Sequence, residues 1–147
     1  MSAERFTISS RATGIRRTVV VFIYDTVEEL KAAAFTFNGF VCDDNAAAVT
    51  QGWGYHHGRP ELLPVSAVVR MHHGMIDAEV VAHELAHAAM GIYMADRVCW
   101  HSRARAHFSL ANEPFAYLLG QLVSMATYHL HRLGAWTPAT IREGAPA

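Results

Sequence analysis

The chain is short of three things, and each shortage removes a class of explanation. Only two cysteines, Cys42 and Cys99, occur among the 147 residues. They are too few and too widely spaced for a disulfide framework or a Cys-x-x-Cys zinc site, and they fit a reducing compartment. Charge is also scarce, at 17% of residues with a net value of -1. That balance gives no overall electrostatic case for nucleic acid or for an anionic membrane. Long apolar runs are missing as well, none reaching the roughly 20 residues that a membrane-spanning helix needs. The start Met1-Ser2-Ala3-Glu4-Arg5 is followed by no apolar h-region, so no signal peptide is expected. With 52% apolar residues and neither repeats nor low-complexity segments, the expectation is one cytoplasmic globular domain. Its length suffices to bury a core.

What is present is a chemical motif in an apolar setting. Residues 80–89 read VVAHELAHAA, a His-Glu-x-x-His pattern inside a helix-favouring run. Positions four apart share one face of a helix, so His83 and His87 can offer two imidazole nitrogens to one Zn²⁺. Glu84 follows the first ligand and can serve as the carboxylate that takes a proton from activated water. The Val, Ala and Leu flanks predict a buried helix. Two histidines and a glutamate gain nothing structural there unless they are paired or metal-bound. The competing reading is a solvated helix face that happens to carry these three residues.

Around this motif the sequence predicts a mixed α+β domain over residues 18–133, with a flexible arm at 1–17 and a loosely ordered tail at 134–147. The run TVVVFIY at 18–24 is β-branched and aromatic and predicts a buried strand. Asp25 and Thr26 then open a helix with Thr26 and Glu29 at capping-box spacing. Its stripe of Leu30, Ala33, Ala34 and Phe37 stops near Asn38-Gly39. One or two strands are expected over 40–53, joined by a turn at Asp43-Asp44-Asn45. A Gly- and Pro-rich loop follows, carrying His56 and His57. Residues 65–72 resume as a strand, expected to be the sheet edge along which a peptide could pair. Asp77 is positioned to cap the motif helix, with Glu79 in its first turn, and the helix should end near Met94 or Val98. A polar stretch with His101, Arg103, Arg105 and His107 leads to a second long helix from about Asn112 to Leu133. Its apolar stripe runs through Phe115, Leu118, Leu122 and Leu130, and Pro114 is tolerated in the first turn. Trp136 is a candidate to pin the tail.

The third ligand decides the subclass, because a catalytic zinc site keeps three protein ligands and one open position. The metzincin continuation is excluded, since Met90 and Tyr93 stand where Gly and a third His would be. Glu113 can reach the pair if the two long helices lie side by side, although a first-turn Glu also simply complements a helix N-terminus. His101 and His107 are the competing ligands. Taken together, HELAH followed by ANEPFAYLL resembles a gluzincin-type arrangement. It is similar to the small zinc peptidase-like proteins of bacteriophage genomes and to the IrrE/ImmA-like family, over roughly residues 65–133. The resemblance implies a minimal zincin-like fold, in which a small mixed sheet rests on the His-Glu-x-x-His helix and a second long helix brings a Glu ligand. It implies His83, His87 and Glu113 as zinc ligands and Glu84 as general base. The chain departs from the IrrE/ImmA-like pattern in that Glu113 follows Asn112 instead of preceding the Ala-Asn pair. No helix-turn-helix is evident either, which favours the phage type.

The function expected from this reading is hydrolysis of a peptide or protein substrate. One further donor must stabilise the oxyanion. Tyr117, four residues past Glu113 and so on the same helical face, is the catalytic candidate, with His107, Tyr93 and Tyr128 as alternatives. Asp96 is a candidate to orient an imidazole from behind. Two other classes stay open. One is a zinc-containing binding or virion accessory module without turnover. The other is a nucleic-acid-associated protein using Arg11, Arg16, Arg17, Arg103 and Arg105, a reading the net charge disfavours. Neither membrane nor nucleic-acid partners are expected, and the sequence leaves the oligomeric state open.

Overall fold

A computed structural model describes residues 3–52, 65–98 and 112–136. Strand β1 (Glu4–Ser10) turns back on β2 (Arg17–Tyr24), and helix α1 (Val27–Asn38) follows. Next come β3 (Ala48–Gly52), β4 (Val65–His72) and helix α2 (Ala78–Tyr93), which ends in a π-helical turn, Met94–Val98. Helix α3 (Glu113–Arg132) is the last of the described elements. The sheet order is β1-β2-β4-β3. The pairings β1/β2 and β3/β4 are antiparallel, and β2/β4 is parallel. This is a mixed α+β architecture, with α1 on one face of the sheet and α2 and α3 on the other.

The larger core lies on the α2/α3 face. Val19, Val21 and Ile23 of β2 alternate into it with Val69 and Met71 of β4, against Val81, Leu85 and Ile92 of α2 and Leu118, Leu122 and Leu130 of α3. The two long helices are therefore side by side, each burying one stripe, as helical periodicity requires. Every α-helix starts on a capping side chain. Thr26 Oγ1 accepts from the Glu29 N–H at 3.2 Å, Asp77 Oδ1 from Val80 at 2.9 Å and Asn112 Oδ1 from Phe115 at 3.2 Å. Gly39 closes α1 with φ 76°, a left-handed conformation that glycine adopts without a Cβ penalty.

Two expectations are corrected here. The segment before residue 18 is not a loose arm, because Phe6 and Ile8 alternate into the core and the strand pairs with β2 from Glu4 to Ser10. The arm's end is fastened too. Arg17 and Asp96 form an ion pair with side chains only 3% and 1% exposed, and Thr13 Oγ1 donates to Asp96 Oδ2 at 2.6 Å. The second correction concerns β4, which is no edge strand. It is flanked by β2 and β3, and its residues Ser66–Met71 are all buried. The edge beside α2 is β3, because the chain crosses over after α1, lays down β3 outermost, and only then returns inside it.

Strand β3 is held from the α1 side by a polar network. Buried Arg70 donates from Nε to Gln51 Oε1 at 2.7 Å and from Nη1 to Tyr24 Oη at 2.6 Å, between the rings of Phe22 and Phe37. Gln51 Nε2 in turn donates to Ala34 O at 3.0 Å and Asn38 Oδ1 at 2.8 Å. With Gln51 fixed towards α1, the strand's alternation turns Thr50 towards α2. Expected strand structure at 40–44 is absent, but the turn is present, with the Ala46 N–H on Asp43 O at 3.2 Å. Among the described residues no helix is long and apolar enough to cross a membrane.

Candidate metal centre

The amphipathic geometry of α2 separates the three motif residues. Val81, Leu85, Ala88 and Ala89 face the core, while His83 and His87 lie on the exposed face. The expectation of a wholly buried helix is therefore not met, and a desolvation argument does not apply to the two histidines. It applies to Glu84, which is 7% exposed. What the fold does with the histidines is to aim them at one point. Their Nε2 atoms are 3.1 Å apart, with the rings at 76° to each other. Two ring nitrogens this close must share either a proton, one donating and the other accepting, or a metal ion. Two Zn–N bonds of about 2.05 Å at the tetrahedral angle place their nitrogens roughly 3.3 Å apart. The pair thus fits a zinc ion with a shift of a few tenths of an ångström.

Glu84 sits one residue on, turned towards the sheet. The Thr50 hydroxyl on edge strand β3 lies 2.6 Å from Glu84 Oε2 and 2.9 Å from its main-chain oxygen. A hydroxyl has one proton, and the carboxylate is the stronger acceptor. Glu84 and His87 both line a cleft of about 870 Å³ between α2, β3 and the 40–46 segment. Gly91, two turns past Glu84, lines this cleft, and among the described residues nothing comes within 4 Å of where its Cβ would be. Cys42 lines the same space. Partial burial pushes its thiol pKa up, Lys31, Asp43 and Arg70 acting as smaller influences of mixed sign. No ready thiolate is on offer there.

The remaining candidates are not gathered to this point. Among the described residues no third His, Cys, Asp or Glu joins the histidine pair in a metal-ligand group. Glu113 is exposed in the first turn of α3. Its neighbour Phe115 meets Tyr93 edge-on at 5.7 Å, and Tyr93 is six residues, or about 9 Å of helix rise, beyond His87. The start of α3 therefore lies beside the end of α2. Tyr117 is 64% exposed and lines a separate shallow groove with Ser9, Gly120 and Ser124. It shares an exposed face of α3 with Glu113, and neither residue is on the described lining of the Glu84 cleft. Tyr93 is buried in the core, and Tyr128 is exposed beside Arg132. Asp96 is committed to Arg17 and Thr13 and orients no imidazole among the described residues. His101 and His107, the competing ligands, lie outside the described residues, as do His56, His57, Arg103 and Arg105.

Thr50 is the functional candidate that sequence reasoning missed. Only the period-two alternation of Ala48–Gly52 next to a buried Gln51 could have hinted at it, and nothing in that pattern names Glu84 as partner. Comparison with known proteins finds no matching family model, no matching curated protein and no matching solved structure.

Proposed function

We propose that the chain is a zinc-dependent peptidase, with His83 and His87 holding the metal and Glu84 as general base. The observation that carries this reading is the convergence of two exposed imidazole Nε2 atoms, 3.1 Å apart, beside a buried carboxylate that opens onto a cleft. A bound zinc ion would supply Lewis acidity, polarising a carbonyl and acidifying water. The protein's own contribution is to place the base. Thr50 holds Glu84 Oε2, leaving Oε1 to take the proton from the attacking water and to pass it to the leaving amine. The cleft orients the peptide, and β3 supplies the sheet edge along which an extended chain can pair. This is the role the sequence had suggested for β4.

A third donor completes the ligand set on this reading, and Glu113, His101 and His107 are the three to separate. Alanine replacement of each, followed by zinc analysis, identifies the one whose loss weakens binding. The nucleic-acid alternative loses ground on one residue: Arg17, one of its five arginines, is buried against Asp96. Hydrolysis of an unstructured protein substrate tests the proposal. Glu84→Gln should lower the rate by roughly 10²-fold or more at unchanged zinc content. Zinc-loaded wild type and Glu84→Gln that are equally inert on a broad peptide panel would move the reading to a binding module.

A further inference from the structure

The exposed face of α2 does not end at the histidines. With a turn every 3.6 residues or so, His83, His87, Met90 and Met94 fall within about 60° of arc around the helix. All four are exposed, and Met94, the C-cap residue, keeps helical φ and ψ. Met90 is 39% and Met94 42% exposed, which leaves both thioethers open to a ligand arriving from solvent. A single methionine on a surface is ordinary. What sets Met90 apart is its direction. Helical side chains lean towards the N-terminus, and a long one covers the turn before its own Cα. That geometry directs Met90 towards His87, its neighbour at i−3, whose Nε2 already lies 3.1 Å from that of His83. Glu84 stands on the opposite flank. Round the helix the order is Glu84, His87, His83, Met90, and Met90 is not on the described lining of the Glu84 cleft.

The donor chemistry then points to a particular ion. Zinc takes imidazole, thiolate and carboxylate, and a thioether is not among its usual ligands. Imidazole and thioether together make a soft set that suits Cu(I). Among the described residues no third His, Cys, Asp or Glu joins the histidine pair, so the thioether is the further donor that α2 itself supplies. We infer that His83, His87 and Met90 form a Cu(I) site, with Met94 next along the same face. The inference rests on the histidine pair being the metal centre proposed above, though not on peptide hydrolysis. Cu(I) and Zn²⁺ require the same two Nε2 atoms and exclude each other. Met90 is the residue that discriminates between them.

The experiment uses the full metal-free chain under anaerobic conditions with ascorbate. Cu(I) is titrated in competition with bicinchoninate, and Zn²⁺ in a separate series with a chromophoric zinc chelator. Met90→Leu conserves volume at an exposed position and should leave the fold intact. It should weaken Cu(I) binding by roughly tenfold or more, at least the scale of losing a metal's outer-shell partner, and leave Zn²⁺ affinity unchanged. X-ray absorption at the copper edge should show sulfur beside nitrogen in the wild type and less sulfur in Met90→Leu. Thiols are soft ligands as well, so Cys42→Ser and Cys99→Ser are measured alongside and should keep the Cu(I) affinity. No Cu(I) uptake, equal Cu(I) affinity in wild type and Met90→Leu, an equal loss of both metals in Met90→Leu, or loss of Cu(I) with either cysteine would overturn the site. The two readings fail separately. Zinc binding without Cu(I) binding would sink this inference and leave the peptidase proposal standing, whereas Cu(I) binding without zinc would do the reverse.

Discussion

Two buried carboxylates show how differently this fold treats acidic groups. Asp96 is closed in on every side. Arg17 donates from Nε at 3.0 and 3.1 Å, Thr13 adds a hydroxyl, and both members of the ion pair are almost wholly out of solvent. Glu84 is nearly as buried, yet its side-chain partner is the neutral Thr50 hydroxyl, and it opens onto a cleft. A carboxylate whose charge is matched by a fixed cation is fastened and unreactive. One held by a hydroxyl beside a cleft retains an oxygen for chemistry. The first ties the β1–β2 hairpin to the turn after α2, and the second is the basis of the functional proposal.

The comparison is broken most severely at Arg17. Arg17→Ala leaves Asp96 buried without its cation and should cost about 3–5 kcal/mol, read by urea denaturation. Replacing both partners by apolar residues of similar volume should recover most of that loss. A cost below 1 kcal/mol would show the pair to be open to water. Metal removal comes next. If zinc binds the folded chain alone, free zinc a hundredfold above its Kd should stabilise by about 2.7 kcal/mol. Chelation should reverse the effect and His83→Ala should abolish it. A zinc-independent melting temperature in the wild type would count against the site.

Thr50→Val should cost about 1–3 kcal/mol by leaving the Glu84 carboxylate without its donor, and Thr50→Ser should restore most of it. Equal stability of the Val and Ser variants would mean that the hydrogen bond is immaterial. The smallest effect belongs to the surface. The hydrogen bond from Lys31, and then its charge, lowers the Asp44 carboxyl pKa from its ordinary value. A folded-state pKa below the unfolded one gives stability that is present above the ordinary carboxylate range and lost as pH falls through the folded value. Asp44 is fully exposed, so Lys31→Ala should leave neutral-pH stability unchanged within error and alter only the acid limb of a pH–stability curve.

Local signals carried much of this structure. The Asp77 cap, the HELAH spacing, the β-branched run of β2, the Thr26–Glu29 start of α1 and the stripe of α3 each declare themselves within a few residues. They gave the elements of the mixed α+β fold and brought His83 and His87 to one point. Strand β1 was harder to see, because Phe6 and Ile8 are its only large apolar residues and charged neighbours surround them. Strand order depends on where the chain returns after α1, which no window of sequence contains, so β4 was mistaken for the edge. The Arg17–Asp96 and Thr50–Glu84 contacts join residues 79 and 34 positions apart and have no sequence signature. For Tyr117 the helical spacing from Glu113 was sound, but periodicity relates residues to one another and not to the cleft.

The most direct test of the central claim is zinc content after exhaustive dialysis, compared between wild type and His87→Ala. The account expects about one equivalent in the wild type, as for a site built on two imidazoles and a third donor, and essentially none in His87→Ala. A wild-type chain that retains no zinc, or a His87→Ala chain that retains its full equivalent, would contradict it.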